Sequence, residues 1–156
     1  MEIKIIFEDK NIIVAEKPPG MPSQQDKTGD ISVLDELSEY LGYEYKNVIH
    51  RLDRPVGGLM VFGKTGESIK KLSAAVTGRA FQKSYYAVCF GNPGAEKIIL
   101  KDYLVKDSKK NMSFVSDEND KNAKEALLEM KRIQTVKDEK LGEISLLKIK
   151  DRKSVV

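Results

Sequence analysis

Within His50–Thr65, HRLDRPVGGLMVFGKT, the chain's single histidine, two arginines and an aspartate fall in five residues. Pro55, two glycines and an apolar run follow directly. A guanidinium beside a carboxylate favours the ionised form. An ionised, positioned carboxylate can act as nucleophile or general base toward an electrophilic carbon. The residues alone leave two readings of Asp53. It is half of a strand-end ion pair, worth ~0–1 kcal/mol when exposed, or it is a reactive group. Gly57 and Gly58 weigh toward the second, because a backbone without Cβ lets another molecule come close.

The segments around this stretch must position it. Asn47–Leu52 reads as a strand entering the motif, which would put Arg51 and Asp53 on one face and His50 and Leu52 on the other. Leu59–Phe62 reads as a strand leaving it, with RPVGG as the turn between them. Upstream, Ile3–Phe7 and Asn11–Glu16 are short β-branched runs joined as a hairpin. The Pro- and Gly-rich stretch Lys17–Asp30 is a loop, and its length suggests a functional one. Apolar residues at Val33, Leu34, Leu37 and Leu41 mark one helix face over Ile31–Leu41, stopped by Gly42.

Downstream, Ser68–Val76 reads as a second helix closed by Gly78. Strands follow at Ala80–Phe90, Ile98–Val105, Met112–Val115 and Glu143–Lys150. Ala123–Ile133 is ambiguous: propensity favours helix, while Ala126, Leu128 and Met130 also alternate at strand period. Strands outnumber helices, so the expected class is α+β with a mostly antiparallel sheet and a few flanking helices.

Composition narrows the function. A chain of 156 residues can bury a sizeable core as one domain. No run approaches the ~18 apolar residues of a membrane-spanning helix, and the N-terminus lacks the charged and apolar regions of a secretory signal. The expected place is the cytoplasm. One histidine and one cysteine argue against a protein-ligated zinc site; Cys89, in an apolar run, reads as a small buried hydrophobe. A net charge of +3, with a cluster at Lys106, Lys109 and Lys110, is compatible with a polyanionic partner.

HRLDRPVGGLMVFGKT closely resembles the signature of the RluA-type family of RNA pseudouridine synthases, H-R-L-D-R/K followed by a small-residue turn, G-L and an apolar strand. Further stretches resemble that family in the same order. DKNIIVAEKPPGMPS is similar to its opening hairpin and K-P-x-G loop, and FQKSYYAVCFG to its K-x-Y-x-A strand. NAKEALLEMKRI and ISLLKIK are similar to two later strands. Threonine and serine usually precede the signature glycine, where this chain has PVGG.

The resemblance implies isomerisation of specific uridines to pseudouridine in structured RNA, ribosomal or transfer, by a monomer without cofactor or metal. Asp53 matches the essential aspartate that initiates breakage of the N-glycosidic bond. Arg51 matches the arginine that pairs with that aspartate and helps displace the target base. Tyr85 matches the tyrosine that stacks on uracil, and Tyr86, on the opposite face of the same strand, is expected in the core. Lys17 and Pro18 fall in the loop bordering the cleft.

The expected organisation is a single catalytic domain over residues 1–156, without an appended N-terminal RNA-binding domain. The family's later T-G-R-x-H-Q-I-R segment is replaced by DRKSVV, and Arg152 does not match its arginine. Missing strands would leave a sheet edge and apolar surface open to aggregation. The competing reading is a catalytically impaired RNA-binding fragment of such an enzyme. A carboxylate-dependent glycoside hydrolase is a third reading, with no partner acid at a motif-like spacing.

Overall fold

In the computed structural model, which describes residues 3–78, 80–94, 96–107 and 112–153, β1 (Lys4–Glu8) and β2 (Ile12–Lys17) pair antiparallel as a hairpin. The Asp9 carboxylate closes its turn, accepting from the N–H groups of Asn11 and Ile12 at 2.7 Å each. After a long loop comes α1 (Val33–Leu41). Its first turn is satisfied by a capping box in which Ser32 accepts from the Asp35 N–H and the Asp35 carboxylate accepts from the Ser32 N–H. Gly42 ends the helix at φ +73°, a left-handed conformation that glycine adopts without a Cβ penalty.

β3 (Gly58–Gly63) pairs antiparallel with β2, giving a three-stranded sheet in the order β1-β2-β3. α2 (Gly66–Thr77) follows, opened by a second capping box between Thr65 and Ser68. A Cβ on Gly63 would lie 2.6 Å from the Ile69 N, so the bare glycine is what lets α2 approach β3 so closely. The core here joins Ile13, Ala15, Met60 and Phe62 of the sheet to Val33 and Leu37 of α1, with Met21 and Tyr45 alongside. Removing a side chain such as Phe62 or Leu37 from water contributes roughly 1.5–3 kcal/mol. Tyr45 meets the Phe62 ring edge-on at 5.9 Å and donates its hydroxyl to the Gly63 carbonyl at 2.7 Å. Burial pushes its phenol up to about 12.

The chain divides into two compact units, Met1–Phe81 and Gln82–Val156. The second is an antiparallel sheet in the order β4-β8-β7-β5-β6. Its strands are β4 (Lys83–Phe90), β5 (Lys97–Asp107), β6 (Met112–Ser116), β7 (Lys124–Asp138) and β8 (Gly142–Lys153). The ambiguous 123–133 stretch is therefore strand. Flanked by β5 and β8 on both sides, it satisfies its backbone in two ladders. Glu125 and Glu129 find Lys101, Lys153, Lys97 and Arg152 within ion-pair reach across those ladders. Propensity yields to pairing.

Both units together are α+β and mostly antiparallel, as the sequence led one to expect. Some expectations fail. Asn47–Leu52 is not a strand; residues 44–57 run without ladder partners between α1 and β3. Tyr86 is not in the core but 70% exposed, beside Val88 at 70% and Phe90 at 76% on the open face of β4. The covered face of that strand carries Lys83, Tyr85, Ala87 and Cys89, and Cys89 is half-buried rather than buried. Of the lysine cluster, Lys106 lies on β5, while Lys109 and Lys110 lie outside the described residues.

Candidate active-site segment

Residues 50–60 alternate inward and outward although they form no strand until Gly58. Ile49 is buried and Leu52 packs against the core of the first unit. His50 is tethered to β3, its Nε2 accepting the Val61 N–H at 3.2 Å, and its ring lies 5.2 Å from that of Phe81. The chain's single histidine thus fastens the segment to the sheet. Arg51 and Asp53 point the other way and are exposed. The expected ion pair between them is not formed among the described residues.

The backbone around Asp53 is held by its neighbours. Lys17, the last residue of β2, has no exposed surface, and its ammonium donates to three carbonyls: Val56 at 2.7 Å, Arg54 at 3.1 Å and Pro18 at 3.1 Å. This corrects the sequence reading, which left Lys17 in the cleft-bordering loop. It closes the strand, points inward, and is spent on the signature turn. Burial holds its pKa below the usual lysine value, nearby Arg54 adds to that, and the Asp53 charge opposes it. Such a group tolerates burial because each donor finds an oxygen.

Other contacts join the long loop to the same segment. The Gly20 N–H donates to the Arg54 carbonyl at 2.7 Å. The Ser23 hydroxyl donates to the Leu52 carbonyl at 2.6 Å and accepts the Leu52 N–H at 3.1 Å. The Arg54 guanidinium clasps the loop from outside, donating to both oxygens of Asp26, to Thr28 and to Asp30. Hydrogen bonds from Thr28 and Arg54 pull the Asp26 carboxyl down to about 2.

Asp53 itself begins the turn, its carbonyl accepting the Val56 N–H at 2.9 Å. Gly58 then enters β3 at φ +148°, and a Cβ on Gly57 would lie 3.0 Å from Pro19. The loop and the turn fit through the bare glycine.

Lys17, Ser23 and Arg54 were not assigned these roles from the sequence. For Arg54 a signal existed: DKTGD places two carboxylates and a hydroxyl within five residues of a loop that has no cation to match them except Lys27.

Tyr85 stands in the second unit, on β4. The strand register aligns it in one row with Ile149, Met130 and Ile98 across four strands. It lines a groove of about 370 Å³ with Leu100, Leu104, Leu128, Ile149 and Asp151. A ring set among aliphatic side chains beside carboxylates suits a flat, partly polar partner such as a nucleobase. Arg152 is engaged with Glu129 at 2.8 Å. Among the described residues no cluster of three or more His, Cys, Asp or Glu could hold a metal ion.

The family pattern described as RNA pseudouridylate synthase matches residues 11–153. The chain belongs to that family. Ribosomal large subunit pseudouridine synthase C of Rickettsia bellii is 33% identical to it over 135 residues, 85% of this chain and 44% of the relative. The mitochondrial tRNA pseudouridine(32) synthase of Saccharomyces cerevisiae is 32% identical over 133 residues, 84% of this chain and 29% of the relative. The chain therefore spans less than half the length of these two relatives. Among solved structures, human RNA pseudouridylate synthase domain containing 1 superposes with a TM-score of 0.81 at 13% identity. That match covers 98% of this chain and 60% of the human one, a likeness of fold.

Proposed function

We propose that the protein isomerises uridine to pseudouridine in structured ribosomal or transfer RNA, with Asp53 as the reactive carboxylate. The observation that carries this reading is the placement of Asp53: exposed, yet set between two residues, Leu52 and Arg54, whose backbones are tied down by Ser23, Lys17 and Gly20. Exposure admits a macromolecular substrate, and fixed neighbours preorganise the carboxylate.

The reaction breaks the C–N bond between uracil and its sugar, turns the freed base and forms a C–C bond at the same sugar carbon. No atoms or electrons are gained or lost, so no group donor or oxidant is required. Cleavage develops positive charge on the sugar, which a carboxylate stabilises. Asp53 meets that charge either by adding to the sugar carbon or by taking a sugar proton. The target base must first leave its stack. Arg51, exposed two residues away, is the cation that holds the opened RNA, and Tyr85 is the platform on which uracil stacks.

RNA is the partner this reading requires. The reading takes one chain as the working unit and the cytoplasm as the place where it would meet its RNA. No helix among the described residues is long and apolar enough to cross a membrane. The test is to incubate the purified chain with unmodified bulk RNA and assay pseudouridine, with Asp53→Ala alongside. The reading expects product from the parent and none from the variant. RNA binding without product from either would favour an impaired RNA-binding fragment instead.

A further inference from the structure

We propose that Ser23 is a positioning residue for Asp53, an inference that rests on the functional reading above. Ser23 lies in the loop after β2 and is 5% exposed. Its hydroxyl has one donor and two acceptor sites. The donor goes to the Leu52 carbonyl at 2.6 Å, and one acceptor site takes the Leu52 N–H at 3.1 Å. One oxygen thus bonds both backbone groups of the residue that separates Arg51 from Asp53.

The consequence is geometric. The Leu52 carbonyl belongs to the peptide plane that carries the Asp53 nitrogen, and the Leu52 N–H belongs to the plane that carries the Arg51 carbonyl. Fixing both planes fixes the direction in which Asp53 and Arg51 leave the chain. A ladder would ordinarily do this, and residues 44–57 have none. On the far side of Asp53, the Arg54 carbonyl takes Lys17 and Gly20, so Ser23 supplies the matching restraint on the near side. Ser23 is itself held, since the adjacent Pro22 carbonyl accepts the Val33 N–H at 2.9 Å at the start of α1. The restraint runs from the helix end through the loop to the reacting group. A misplacement of about 1 Å can cost ~10²-fold in rate.

The experiment compares Ser23→Ala and Ser23→Thr with Ser38→Ala, a matched control. The Ser38 hydroxyl likewise donates to one backbone carbonyl, Leu34, and accepts one backbone N–H, from Tyr45, but touches neither neighbour of Asp53. For each variant the kcat and KM for pseudouridine formation, the urea midpoint and the exchange rate of the Leu52 amide are measured. Positioning expects Ser23→Ala to lose roughly 10- to 100-fold in kcat with KM little changed, Ser23→Thr to recover part of it, and Ser38→Ala to lose stability without the kcat loss. The Leu52 amide should exchange faster in Ser23→Ala alone. Equal kcat values for Ser23→Ala and Ser38→Ala, or an unchanged Leu52 amide in Ser23→Ala, would overturn the proposal. A parent chain that forms no pseudouridine would remove the functional reading, and the Leu52 exchange rate would then decide by itself whether Ser23 holds this backbone.

Discussion

The ammonium of Lys17 donates at 2.7 Å to the carbonyl of Val56, 39 positions further along the chain, and no part of Lys17 reaches solvent. A cation at the end of one strand thereby organises the turn that opens the next. Lys17→Met keeps the length and removes the donors, leaving carbonyls of Arg54, Val56 and Pro18 short of a partner. We expect a loss of about 1–3 kcal/mol, read as a lower urea midpoint, together with reduced pseudouridine formation. A midpoint equal to the parent's would show that water replaces the ammonium without cost.

The closeness of α2 to β3 depends on Gly63. An added methyl there would meet the backbone of Ile69 at 2.6 Å, whereas nothing lies within 4 Å of one on Gly66. Gly63→Ala should cost about 1–3 kcal/mol as an overpacked contact, and Gly66→Ala should be close to neutral. Thermal unfolding of the two variants side by side checks the contrast.

The clasp of Arg54 on Asp26 has a defined pH response. The Asp26 carboxyl lies at about 2 in the folded protein against 3.8 for a free aspartate side chain. Its folded pKa is depressed, so the contribution is fully present above about 3.8 and lost as pH falls through about 2. Amide exchange over residues 26–30 should quicken across that window in the parent. In Asp26→Asn, where position 26 cannot titrate, the step should shrink to what Asp30, the other carboxylate held by Arg54, contributes.

The open row Tyr86, Val88 and Phe90 lies on β4, an edge strand of its sheet. Exposed apolar edges invite strand-to-strand association, and a charge on such an edge opposes it. Light scattering at rising concentration should show the parent associating and Val88→Lys doing so less. Identical curves would mean that this edge is not the sticky surface.

Much of the fold was legible because local rules decide it. The β1–β2 hairpin, the α1 helix with Gly42 behind it and β3 follow from period and caps. The 44–57 segment was misread as a strand at Asn47–Leu52 for an instructive reason. It alternates like a strand, but the backbone groups of Leu52, Arg54 and Val56 are met by Ser23, Lys17 and Gly20 rather than by a neighbouring strand, and sequence period does not distinguish the two. Parity on β4 correctly separated Tyr85 from Tyr86 but could not say which face is covered. The 123–133 stretch needed β5 and β8 to outweigh its helix propensity. Asp53 was nominated through the motif around it, whereas the roles of Lys17, Ser23 and Arg54 depend on contacts between positions 24 to 39 apart, which no local pattern encodes.

The central claim is that Asp53 is the reacting carboxylate. Asp53→Asn preserves its size and leaves the bonds of Lys17, Ser23 and Arg54 untouched, so fold and RNA binding should persist. Single-turnover assays on unmodified RNA should show pseudouridine formation falling by roughly 10²–10⁴-fold or more, with the urea midpoint unchanged. A variant that forms pseudouridine at the parent's rate would contradict the account.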